Sequence, residues 1–410
     1  MNHKLLEKYV ELIIRKGINI QPKQQLLIIC PIECAWFAHE LMKAAYSAES
    51  GEVFIRWIDD EGERIRYIHA PDYVFTSYPE WNKLMMNKLC KEKAAVISIL
   101  STDPSALQGV SQERIQQDMQ SAQIALQYYR DSLMSNRTQW CVLSIPSPSW
   151  AQKIFPNLEV DKAMEKLWEK IFLTSHIDRN DPINNWNIHI KELEVRLNIL
   201  NKYNFKELIF ENSLGTKLTL ELVKGHIWTG GSERTLEDKI EFIANIPTEE
   251  IFTTPKRDGV NGVVYATKPL IYMGDIIEDF VIEFDRGKVI NVSARKNQKL
   301  LEKLVSSTFG TNFLGEVALV PYDSPVSKSE IIFYNSLYDE NASCHLALGK
   351  AYPSTVKGTE GKSEEELLKM GVNCSMEHED FMIGSDDMNI TGIMYNGKKI
   401  PIFINGNFVF

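Results

Sequence analysis

The first 175 residues alternate short apolar runs with longer amphipathic stretches. Leu26 to Cys30, Val53 to Ile58, Ala95 to Leu100 and Cys141 to Ile145 read as strands. The segments between them, such as "ECAWFAHELMKAAYSAES", carry apolar residues at helical spacing. Strands alternating with helices predict a mostly parallel sheet covered by helices. The pattern changes around "SHIDRNDPINNW". A helix is expected from there to about Asn201. Beyond it, "KELIFENSLGTKLTLEL" and "GVVYATKPLIYMGDIIEDFVIEFDRGKVINVSA" alternate with a period of two and break at tight turns. Asn396-Gly397 and Asn405-Gly406 are strong hairpin signals. The expected architecture is an α/β N-terminal domain with a mostly parallel sheet, residues 1–182. An α+β C-terminal domain rich in antiparallel strands follows, residues 183–410. A chain of 410 residues exceeds one small core, which agrees with two domains.

Composition narrows the function classes. The net charge of -10 argues against a general nucleic-acid or anionic-membrane binder. No run approaches the roughly 20 apolar residues of a membrane span, and the N-terminal "MNHKLLEKYVELIIRKG" lacks the apolar core of a signal peptide. The six cysteines form no C-x-x-C pair, and several sit in apolar strands. They read as buried, reduced thiols of a cytoplasmic protein. Residues 1–182 carry no G-x-G-x-x-G and no G-K-[ST], so a nucleotide-binding Rossmann domain is disfavoured there.

The chemistry lies in the second half, in four segments. In "SMEHEDFMIGSDD" a strand points His378 and Asp380 to one face, with Met382 following, and Glu377 and Glu379 to the other. "FLGEVALVP" holds Glu316, "NIPTEEIFTTP" holds Glu249 and Glu250, and "DENASCHLALGKAYP" holds His345 and Tyr352. Each has a plainer explanation when taken alone. Glu316 reads as a strand-end acid facing solvent. Thr248 reads as a helix cap with acids in its first turn. His345 reads as a boundary residue of a helix capped by Asn341 and ended near Gly349. That helix, if continued, would put Tyr352 on the His345 face two turns on. His176 and Asp178 read as a solvated surface pair. Taken together, the segments supply several carboxylates, two imidazoles and a phenol. Buried carboxylates need neutralising, and a mixed imidazole and carboxylate set suits Zn, Co or Mn. Five ligands exceed the three of a typical catalytic zinc and fit two ions sharing a carboxylate. None of the segments is H-E-x-x-H.

The ordered set "NIPTEE", "LGEVALV", "FYNSLYDENASCHLALGKAYP" and "HEDFMIGS", with "DPINNW" and the terminal NG hairpins, resembles the thermophilic aminopeptidase family of dinuclear metallo-aminopeptidases. The resemblance implies removal of N-terminal residues from peptides with a free N-terminus by a water activated between two divalent ions. Glu250, Glu316, His345, His378 and Asp380 would be the ligands, with Glu316 bridging. Tyr352 would be the catalytic tyrosine, and Glu249, beside a ligand, a candidate general base. It also implies a homodimer whose C-terminal domain carries both the site and the dimer contacts. Two positions depart from the family pattern. Lys217 stands in "GTKLT" where an acid is usual, and Glu330 precedes "IIFYN" where glycine is common. A decayed, non-catalytic scaffold and a two-metal phosphoesterase are the rival classes. Intact ligands oppose the first, and the lack of an Arg or Lys cluster in the ligand segments opposes the second.

Overall fold

The computed structural model describes residues 2–101, 106–177 and 181–410. Asp178, paired above with His176, lies outside them. The chain forms two compact units. One comprises Met1–Ile188 with Ser232–Pro247, and the other His189–Gly231 with Thr248–Phe410. The segment 232–247 returns to the first unit, so the division is not a single cut in the sequence.

In the first unit five parallel strands are ordered β2-β1-β3-β4-β5. They are β1 (Leu26–Pro31), β2 (Val53–Ile58), β3 (Ala95–Ile99), β4 (Trp140–Leu143) and β5 (Asn245–Ile246). All six residues of β1 are buried, as a central parallel strand requires. The helix Glu80–Lys91 turns Met86, Leu89 and Cys90, at i, i+3 and i+4, onto Leu27, Ile29 and Val96. The first helix, His3–Leu12, starts where Asn2 accepts from the backbone N–H groups of Lys4 and Leu5. All six cysteines are buried and free.

The second unit holds a nine-stranded antiparallel sheet and a separate four-stranded antiparallel sheet. The expected helix is present as Pro182–Tyr203. Both NG pairs make turns. Asn405 and Gly406 have φ of 50° and 74°, the pair of positive values a two-residue hairpin turn needs. Glu330 is left-handed, with φ 57°, which accounts for the suitability of glycine there. Lys217 lies exposed at the start of its strand, in register with Glu211 on one side and Val263 on the other.

One expectation is overturned. Residues His345–Gly349 form a β-strand, not a helix. Asn341 belongs to a single turn, Glu340–Ala342, after which Ser343 is extended. All five strand residues are buried, and the strand pairs on both sides. A short apolar run of this kind carries no periodicity to separate strand from helix, and its central place in the sheet decides the outcome. Tyr352 therefore reaches the site by a turn, through Gly349 at φ 102°, and not along a helix face.

Candidate active site

The four-stranded sheet, ordered β6-β7-β8-β9, builds the site. Its strands are β6 (Ile251–Thr253), β7 (Leu314–Leu319), β8 (His345–Gly349) and β9 (His378–Met382). Gly349 faces His378 across β8 and β9, Ala347 faces Asp380, and His345 faces Met382. Across β7 and β8, Glu316 faces Ala347 and Ala318 faces His345. Phe252 faces Ala318, and Glu250 lies two residues before Phe252. Side chains alternate between faces, so Glu250, Glu316, His345, His378 and Asp380 all project from one side. The positions between them on that side are Ala318, Ala347 and Gly349. Their small size leaves space that a larger side chain would fill.

A bulge makes this possible. The register of β7 shifts between Leu314 and Glu316. Leu314 pairs with Leu348, on the apolar face, and Glu316 pairs with Ala347, on the polar face. Two residues apart in a regular strand, both would share a face. The extra residue, Gly315, turns Glu316 toward the histidines.

The distances define two groups that share Glu316. Nε2 of His345 lies 3.2 Å from Oε2 of Glu250 and 3.5 Å from Oε1 of Glu316. Nε2 of His378 lies 3.8 Å from Oε2 of Glu316 and 3.4 Å from Oδ1 of Asp380. Within each triad the ligand atoms lie within 4.8 Å of one another. Both imidazoles are oriented from behind. Nδ1 of His345 donates to the Ser343 carbonyl at 3.1 Å, and Nδ1 of His378 to the Lys350 carbonyl at 2.6 Å. Each Nε2 is thereby left free to bind a cation.

The electrostatics call for positive charge. Burial pushes the Glu316 carboxyl up to about 7. Burial alone would lower His378, but Asp380 and Glu316 outweigh it and push the imidazole up to about 10. His345 is likewise held well above its usual value by Glu250 and Glu316 against the effect of burial. Without a cation, protons hold these acids together. Oδ1 of Asp380 is buried and lacks a hydrogen-bond partner. A buried carboxylate oxygen without a hydrogen bond, two Nε2 atoms turned toward carboxylates and small neighbours fit divalent metal ions.

The remaining expected residues are placed as follows. The Tyr352 ring packs between His378, centroids 4.8 Å apart, and Phe252, 5.7 Å apart. Burial, then Glu316 and Asp380, raise the phenol well above its usual value, so it stays protonated. No helix starts at Thr248; residues 248–250 lead directly into β6. Glu249 is buried, with its N–H donating to Oδ1 of Asn341 at 2.6 Å and its Oε2 3.9 Å from Nε2 of His189. Its carboxylate faces His189. Glu316 is buried at 4% exposure, so it is not a solvent-facing strand end. Glu377 points to the opposite side of β9, where it accepts from Ser307 Oγ at 2.7 Å and Tyr272 OH at 3.3 Å.

The sequence reading missed Glu340. Burial raises it well above its usual value, as do the nearby Glu250, Asp380 and Glu316 charges. The signal available was a second acid in "YDENASCH", five residues before His345. Its neighbour Asp339 is structural, accepting the Phe333 and Asn335 N–H groups at 2.9 and 3.1 Å.

A carboxylate-rich, imidazole-bearing face of this kind is the lining of a divalent-metal site. The chain belongs to the thermophilic metalloprotease family M29, whose pattern it matches over residues 2–408. It is 44% identical over 407 residues to aminopeptidase 2 of Geobacillus stearothermophilus, covering 99% of this chain and 98% of that one. It is 42% identical to aminopeptidase AmpS of Bacillus subtilis, with 99% and 98% covered. Wild-type AmpT from Thermus thermophilus superposes with a TM-score of 0.93 at 34% identity over the full length of both chains. The chain is thus a metallo-aminopeptidase, a hydrolase that uses divalent metal and acts on peptides. Among the described residues no helix is long and apolar enough to cross a membrane.

Proposed function

We propose that the chain hydrolyses the N-terminal peptide bond of peptides using two divalent ions. Glu250, Glu316 and His345 hold one, and Glu316, His378 and Asp380 hold the other. The observation that carries this reading is the split of Glu316, one oxygen toward each histidine. The bound ions would supply Lewis acidity and a water that ionises near neutral pH. The mixed donor set favours Zn, Co or Mn.

The protein's own groups do the rest. The acidic face attracts the α-amino group of a free N-terminus. Protonated Tyr352, fixed between two rings, donates to the carbonyl oxygen as negative charge develops there. Two acids outside the ligand set are candidates to accept the proton of the attacking water. Glu249 is the acid named from the sequence. Glu340 is the one whose charge couples to the ligands. The buried free thiols support a reducing, cytoplasmic setting. The homodimer is carried over from the family resemblance.

The test is to strip the protein with a chelator, restore Zn, Co or Mn separately, and assay aminoacyl-anilides against N-acetylated controls. Activity is expected only with metal and only on the free amine. Turnover that survives metal removal, or that accepts N-acetylated substrate equally, overturns the reading. Light scattering on the loaded protein tests the dimer.

A further inference from the structure

We propose that Gly315 is a positioning residue for the ion held by Glu316, His378 and Asp380. Having no Cβ, it lets β7 close on the Lys350 carbonyl that holds the His378 ring. The proposal rests on the two-ion reading above.

The constraint at Gly315 is space. Its φ is not among the positive values, so an alanine would meet no left-handed penalty. A Cβ there would press on the Lys350 carbonyl oxygen and lie 2.5 Å from the Gly349 carbonyl oxygen. These are backbone atoms and cannot swing aside as a flexible side chain would. The Gly349–Lys350 peptide unit is also pinned at both ends, since the Lys350 N–H donates to the Glu377 carbonyl at 2.6 Å and Nδ2 of Asn373 donates to the Gly349 carbonyl at 2.6 Å. The next unit, which carries the Lys350 carbonyl, is held by the longer bond of the Ala351 N–H to the Asn373 carbonyl, at 3.1 Å. An added methyl therefore has to displace the Lys350 carbonyl. That oxygen accepts the Nδ1 proton of His378 at 2.6 Å, so the imidazole turns with it. His345 is insulated from the change. Its Nδ1 partner is the Ser343 carbonyl, at the opposite end of β8. One glycine thus acts on one imidazole of the pair through a backbone oxygen.

The experiment is ion binding to metal-free Gly315→Ala, followed by competition with a chromophoric chelator and by the visible spectrum of bound Co(II). Wild type is expected to bind two ions. In the variant one ion should weaken by about 10–100-fold, the loss typical of a missing outer-shell partner, while the other stays near wild type. The Co(II) spectrum should change in the weakened component only. In a His378→Ala background the same substitution should cause no further loss. Unchanged affinities overturn the proposal, as does equal weakening of both ions, which would mark a general packing glycine. Binding of a single ion by wild type sinks the two-ion reading separately, before any variant is made. If Gly315→Ala does not fold, 15N-histidine NMR of loaded wild type decides. A slowly exchanging Nδ1 proton on His378 is expected, and a proton on Nε2 or rapid exchange at Nδ1 overturns the proposal.

Discussion

Nδ1 of His378 donates to the Lys350 carbonyl at 2.6 Å, which leaves Nε2 facing Glu316 and Asp380. The ring is therefore committed before any cation arrives. Outer partners of this kind fix tautomer and direction, and the loaded site inherits its geometry from the backbone.

Glu316→Gln should abolish turnover with the fold intact. The amide keeps the shape but loses the charge and one acceptor oxygen, so the two triads lose their shared member. Activity should fall by more than about 100-fold, beyond the usual cost of an outer partner. Near-normal kcat with unchanged ion stoichiometry would remove Glu316 as the bridge.

Tyr352→Phe keeps the ring between His378 and Phe252 and removes only the hydroxyl. A donor aimed at the developing oxyanion is typically worth about 10²–10³ in kcat. The expected outcome is a kcat loss in that range with KM little changed. A pure KM effect would instead assign Tyr352 to substrate binding.

Glu249→Gln and Glu340→Gln separate the two candidate proton acceptors. The acid that serves should lose about 10²–10⁴ in kcat and flatten the acidic limb of the pH profile. The other should change stability more than kcat. Equal, small effects from both would leave the bases to the ligand carboxylates.

Stability of the metal-free protein should depend on pH in a set direction. Glu316 is raised to about 7 and His378 to about 10, so the folded chain holds these protons more tightly than the unfolded one. The stability they contribute is complete below the ordinary carboxylate and imidazole values. It is lost as pH rises through about 7 and then about 10. A cation replaces those protons and releases them on binding. The gap in Tm between loaded and metal-free protein should widen from about pH 5 to about pH 8. A gap that narrows over that range contradicts the assigned shifts.

Much of the fold is legible from local pattern. The strands at Leu26, Val53, Ala95 and Cys141 and the helix ending near Asn201 all appear within a few residues of their expected places. Both NG turns form because these residues accept the positive φ imposed on them, at Asn405 and Gly406 in one and at Gly397 in the other. The i, i+2 spacing of His378 and Asp380 was enough to put them on one face, because strand geometry is local.

What the sequence could not determine depends on neighbours distant in the chain. Residues 345–349 are apolar enough for either a helix or a strand, and pairing with β7 and β9 selects the strand. Residues 232–247 return to the first unit, where β5 joins the edge of the parallel sheet beside β4. Glu340 looks like any exposed acid until Glu250, Glu316 and Asp380 are brought near it. By itself the sequence determined the alternation of elements, because propensity and periodicity act over a few residues, and its family motifs named the side chains expected to bind a cation. Only the tertiary structure decided which face Glu316 takes, through the bulge at Gly315, and which nitrogen each histidine offers, through the carbonyls of Ser343 and Lys350. Register and backbone hydrogen bonds are set between strands, and no single strand's sequence contains them.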